Sequence, residues 1–132
     1  MRLLCEEKGI TLILMKAPSL YPVWYDQWEE QIASYAQENG LLYLNCIKEM
    51  DSIGIDYTQD TYDAGLHMNV YGAEKMSRYF GKLLESVEGI TDHRDEPELS
   101  AVWEEKGRRY DEEKAEQETE FKELGYLTRF AE

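Results

Sequence analysis

At 132 residues the chain is one domain at most, large enough for a modest core, and its net charge of −14 argues against nucleic acid or an anionic membrane as partner. Charged residues make up 32% and apolar ones 42%, inside the globular range, with a polar mean hydropathy of −0.64. The apolar run 10–15 is too short for a signal peptide or a membrane span, so the chain as written is expected in the cytoplasm with no membrane segment.

Residues 1–8 read as the end of a helix stopped by Gly9. Residues 10–15 form a continuous apolar run bounded by Gly9 and Pro18, which fits a strand buried on both faces of a parallel sheet. Residues 17–22, with two prolines, are a loop at the C-terminal end of that strand, where open α/β sheets place ligands. Ser19 in this loop lacks a Gly-x-Ser-x-Gly elbow and reads as an ordinary turn hydroxyl. Residues 23–39 predict a helix, because Trp24, Trp28, Ile32, Tyr35 and Ala36 recur at three- and four-residue steps. That period suits packing on a sheet better than an aromatic sugar platform. Asn39-Gly40 ends it, and residues 41–46 are the next buried strand, joined to the first by a parallel crossover. Cys5 and Cys46 sit among apolar residues and make no disulfide framework.

Residues 47–50 are a short helical turn, and 51–66 are irregular, rich in Asp, Gly, Thr and Tyr. Asn69 then caps a helix that runs to Leu84, with Leu66, Val70, Met76, Tyr79, Phe80, Leu83 and Leu84 as its apolar stripe and Lys75 on its solvated face. His67 therefore stands on the shoulder of an anchored helix. A histidine acting as general base needs one ring nitrogen held by an acceptor. Asp63, four residues earlier with Gly65 between, can fold back onto it. Tyr57, Tyr62 and Tyr71 surround this loop, either as the wall of a carbohydrate or acyl pocket or as ordinary packing. His67 and His93 are the only histidines, and no Cys/His cluster has metal-ligand spacing; neither metal nor cofactor is expected, and no phosphate-cradling glycine loop supports a nucleotide site.

The wording Asp63…His67-Met68-Asn69-Val70-Tyr71-Gly72-Ala73-Glu74-Lys75 resembles the last motif block of the SGNH/GDSL hydrolases, in particular their bacterial polysaccharide-modifying branch. Leu12-Ile13-Leu14-Met15-Lys16-Ala17-Pro18-Ser19 is similar to that branch's strand and Lys-x-Pro loop, and the resemblance spans about residues 8–95. It implies the C-terminal half of a flavodoxin-like three-layer α/β sandwich with parallel strands. It also implies a catalytic His67–Asp63 pair within a Ser-His-Asp triad, and an acylated carbohydrate or small ester as substrate. The family spacing is Asp-x-x-His, whereas three residues intervene here, so Asp63 and Asp60 both stand as the aspartate that orients His67. The family's blocks for the nucleophilic serine and the oxyanion-hole glycine and asparagine are not found in these 132 residues. The chain alone is therefore expected to be inactive or nearly so, and an upstream chain or self-association is the expected complement. The alternative is a non-catalytic truncated module for binding or assembly.

Residues 1–90 hold 14 acids and 7 bases, and residues 91–132 hold the same numbers in less than half the length. The division is accordingly a partial α/β domain over 1–90 and an acidic linker and helical tail over 91–132. Within the tail, 98–123 are strongly helical by propensity but carry few apolar positions, which predicts a helix that projects into solvent or docks weakly on a partner.

Overall fold

The computed structural model describes residues 1–127, and these form a mixed α/β protein with a two-stranded parallel sheet and five helices. In chain order the elements are α1 (Arg2–Lys8), β1 (Ile13–Lys16), α2 (Asp26–Glu38), β2 (Leu42–Asn45), α3 (Met50–Ile53), α4 (Val70–Leu84) and α5 (Pro97–Leu124). Contacts group the chain into two compact units, Met1–Ile55 and the remainder from Asp56. The break thus precedes the His67 loop, whereas composition places its boundary at residue 90. Among the described residues no helix is long and apolar enough to cross a membrane.

In the first unit Gly9 closes α1 at φ 64°, the left-handed geometry that glycine adopts without a Cβ clash. Strands β1 and β2 run parallel with Ile13 opposite Leu42 and Lys16 opposite Asn45. The pleat puts Leu14, Lys16, Tyr43 and Asn45 on one face and Ile13, Met15, Leu42 and Leu44 on the other. The first face looks towards α2, because Tyr43 and Asn45 both reach the α2 carboxylate Glu29. Two expectations need correcting. β1 is shorter than the apolar run and is not buried on both faces, since Met15 is exposed. Trp24 lies outside α2, which starts at Asp26 after the cap residue Tyr25. Of the anticipated stripe, Ala36 is buried while Trp28 and Tyr35 remain exposed. A two-stranded sheet is too narrow to cover a whole aromatic helix face.

Glu29 is the polar centre of this unit. Its Oε2 accepts from Trp24 Nε1 (2.9 Å), the Tyr43 hydroxyl (2.7 Å) and Asn45 Nδ2 (2.5 Å), and Lys48 Nζ lies 2.8 Å from Oε1. Asn45 Oδ1 in turn accepts from the Ile47 amide, which shapes the turn leaving β2.

In the second unit α4 and α5 are linked by side chains. Glu74 on α4 accepts from the Tyr110 hydroxyl (3.0 Å) and from Lys114 Nζ (2.6 Å) on α5, and Tyr71 meets Phe121 edge-on with ring centroids 5.5 Å apart. The acidic helix is therefore attached along its C-terminal half, rather than projecting free, one of the two outcomes its composition predicts. No residue of α5 is buried, so the attachment is polar and aromatic at its margin.

Candidate functional site

Residues 60–69 fold as a small antiparallel hairpin. The Thr61–Met68 bridge is flanked by Tyr62 N–H donating to His67 O (3.0 Å) and Asn69 N–H donating to Asp60 O (2.9 Å). The tip turns through Ala64 at φ 56° and Gly65 at φ 105°, and the Gly65 amide donates to Thr61 Oγ1 (2.9 Å). Only glycine takes such angles without cost, so Gly65 is required here, while Ala64 carries a modest strain. Asp63 occupies the start of the turn. Its Oδ1 accepts from the Leu66 amide (3.1 Å) and the His67 amide (2.7 Å), folding the chain back towards the carboxylate.

That fold-back leaves Asp63 Oδ2 2.6 Å from His67 Nδ1. With Nδ1–H donating to the carboxylate, the neutral ring carries its lone pair on Nε2, the tautomer a general base requires. The His67 side chain is 58% exposed. The hydrogen bond from His67 holds the Asp63 carboxyl below its ordinary range; partial desolvation opposes this, and the two backbone amides add to the lowering. A depressed carboxyl means the pairing is complete above the ordinary value of 3.8 and is lost as the pH falls below it. In His67→Ala, the Asp63 carboxyl is expected to titrate at higher pH than in the parent, which carbon-detected NMR across pH 2–6 reads directly. An unchanged curve would show that the two side chains do not pair in solution.

The second candidate, Asp60, does not orient His67. It is 1% exposed, and its Oδ2 is taken by Lys75 Nζ (2.6 Å) and the Asp56 amide (2.7 Å). Lys75 is corrected with it. Its side chain is only 35% exposed and turns inward to this buried carboxylate instead of lying on a solvated face. Asn69 caps α4 as predicted, accepting from the amides of Tyr71 (3.0 Å) and Gly72 (3.2 Å), and its Nδ2 also donates to Gln59 O (2.6 Å). Leu66, assigned to the apolar stripe, is exposed at the tip, whereas Val70 and Met76 are buried.

The tyrosines divide. Tyr62 donates to Gln117 Oε1 (3.2 Å) and Tyr71 packs on Phe121, so both serve the attachment of α5. Burial raises the hydroxyl pKa of Tyr57, Tyr62 and Tyr71. Ser19 donates to Tyr21 O (2.6 Å) within its own loop, as a turn hydroxyl does. His93 is engaged locally by Glu96 and Thr91, and among the described residues no group of three His, Cys, Asp or Glu side chains is arranged to hold a metal ion. No protein-family model, curated protein or solved structure matches this chain.

Gly72 and Lys75 stand inside the motif block that carries the resemblance, but sequence reasoning gives neither of them a role in holding this site. A signal for both does exist. Asn69, Gly72 and Lys75 recur at three-residue steps, which brings them to one side of the first two turns of α4.

Proposed function

We propose that this chain supplies the Asp/His part of a Ser-His-Asp triad in an SGNH/GDSL-type ester hydrolase acting on an acylated carbohydrate or small ester, within a flavodoxin-like parallel sheet. The observation that carries the reading is the 2.6 Å contact between Asp63 Oδ2 and His67 Nδ1 on a hairpin fixed to a capped helix. In the proposed reaction, His67 Nε2 takes the proton from a serine hydroxyl as the oxygen attacks the ester carbonyl. Asp63 stabilises the imidazolium, which then returns the proton to the departing alcohol. Water repeats the sequence on the acyl-serine, releasing the acid and restoring the hydroxyl. The nucleophile and the oxyanion donors come from a segment outside these residues, and without them the rate falls by orders of magnitude.

The test is hydrolysis of an aryl acetate and of an acetylated oligosaccharide. The 132-residue protein is assayed alone and mixed with a segment, encoded upstream or separately, that carries the serine, glycine and asparagine blocks. The expected result is background hydrolysis alone, turnover in the mixture, and its loss in His67→Ala. A mixture that binds but stays at background overturns the reading. Esterase activity of the chain alone that disappears in His67→Ala would place the nucleophile within it.

One observation favours the second reading, an assembly module without catalysis. Among the described residues β1 and β2 each leave an outer edge without a strand partner, and Met15 and Leu42 on the sheet's apolar face are exposed. Open edges and half-covered parallel sheets call for a partner. Sedimentation of the purified chain as a concentration-independent monomer would argue against it.

A further inference from the structure

The Asp63–His67 contact depends on where the hairpin that carries it is held, and the holding is done from α4. The cap residue Asn69 and the α4 residues Gly72 and Lys75, at successive three-residue steps, grip the chain just before the hairpin. Asn69 Nδ2 donates to Gln59 O, the Cα of Gly72 abuts Asp60, and Lys75 Nζ reaches the Asp60 carboxylate at 2.6 Å. Asp60 then works in two directions. Its carboxylate accepts from Lys75 and from the Asp56 amide, and its carbonyl accepts from the Asn69 amide that closes the hairpin. A 1% exposed aspartate is tolerated because Lys75 neutralises it, and the pairing fixes the direction in which the hairpin leaves the helix.

We propose that Lys75 is a positioning residue for the Asp63–His67 pair, acting through Asp60, its catalytic meaning resting on the esterase reading above. Lys75 touches neither side chain of the pair. Its ammonium anchors the base of the hairpin, the two paired strand segments transmit that anchorage over three residues, and the Asp63 turn at the tip converts it into the contact with Nδ1. A lysine used only for solubility would have no such route to the tip.

The test reads the pair without an activity assay. Lys75→Met leaves a buried unpaired carboxylate, so the working variant is the double Asp60→Asn/Lys75→Met. It removes both charges and keeps an acceptor for the Asp56 amide. Lys75→Arg is the conservative control. Two NMR readouts are taken, the titration of the Asp63 carboxyl and the backbone order parameters of residues 63–67. In the double variant the Asp63 titration is expected to move up towards the ordinary carboxylate range, and the order parameters to fall from about 0.85 to below about 0.6. In Lys75→Arg both readouts stay as in the parent, and in all variants residues 76–84 of α4 stay ordered. The proposal is overturned if the double variant leaves Asp63 and residues 63–67 unchanged. It is equally overturned if α4 loses order together with the hairpin, since the ion pair would then hold the fold as a whole. Neither outcome depends on hydrolysis. Expected NMR shifts with no turnover in the complemented mixture would retire the esterase reading and leave the positioning intact.

Discussion

Replacing Glu29 by glutamine is expected to destabilise the first unit by about 3 kcal/mol at pH 7 and to make that loss vanish in acid. The Glu29 side chain is 14% exposed, and burial alone would push its carboxyl up. Donors from Lys48, Tyr43, Trp24 and Asn45 outweigh burial and hold it at about 2, against an ordinary 4.5. Tyr43 shows the reciprocal effect, its hydroxyl raised well above the usual range by burial and by its bond to Glu29. The folded pKa is depressed, so this stabilisation is present above 4.5 and is lost as the pH falls from 4.5 to about 2. Lys48 leads these donors, and because its own side chain is exposed its share is the part most weakened by solvent, whereas Trp24, Tyr43 and Asn45 are more enclosed. Glutamine keeps the shape, but it loses the charge that all four donors address and brings an N–H₂ among them. Urea unfolding of the parent and of Glu29→Gln at several pH values between 2 and 7 checks this. The two stability curves should converge towards pH 2, and parallel curves would mean that the four donors do not close on the carboxylate in solution.

What the sequence makes legible here is local. The left-handed Gly9 stop, the Asn69 cap and the Asp63 fold-back are each settled within about five residues by backbone sterics and one side-chain oxygen. The parallel pairing of β1 and β2 is legible because two apolar runs flank one helical period. Lys75 is not legible, since a lysine on a helix is solvated by default and its partner lies 15 residues back in an irregular segment. Trp24 misleads for a related reason. It keeps the helical period of the α2 aromatics, yet its indole N–H is drawn to Glu29 from a position before the helix begins. The docking of α5 is equally hidden, because it depends on Glu74, Tyr110 and Lys114, charged and hydroxyl groups whose composition reads as a solvated face. These three misses each involve a polar group whose partner lies outside its own element.

Two glycines of α4 are expected to respond to the same substitution with opposite signs. Glycine in a helix interior ordinarily costs about 0.5–1 kcal/mol relative to alanine. At Gly81 an added Cβ meets nothing within 4 Å, so Gly81→Ala is expected to gain roughly that amount. At Gly72 the added Cβ would stand 2.3 Å from the Asp60 carbonyl oxygen, and 3.1 and 3.2 Å from the Cβ atoms of Asp60 and Met68. The nearest atom is backbone and cannot swing aside. It is also the atom that accepts from the Asn69 amide, so relieving the clash means moving the hairpin base away from the helix. Overpacking of this kind costs about 1–3 kcal/mol, which exceeds the propensity gain. Gly72→Ala is therefore expected to lower Tm by roughly 4–15 °C and Gly81→Ala to raise it by a few degrees, both read by thermal unfolding followed by circular dichroism. If Gly72→Ala were as stable as Gly81→Ala, Asp60 would not sit against α4, and the route by which Lys75 reaches the Asp63–His67 pair would be removed with it.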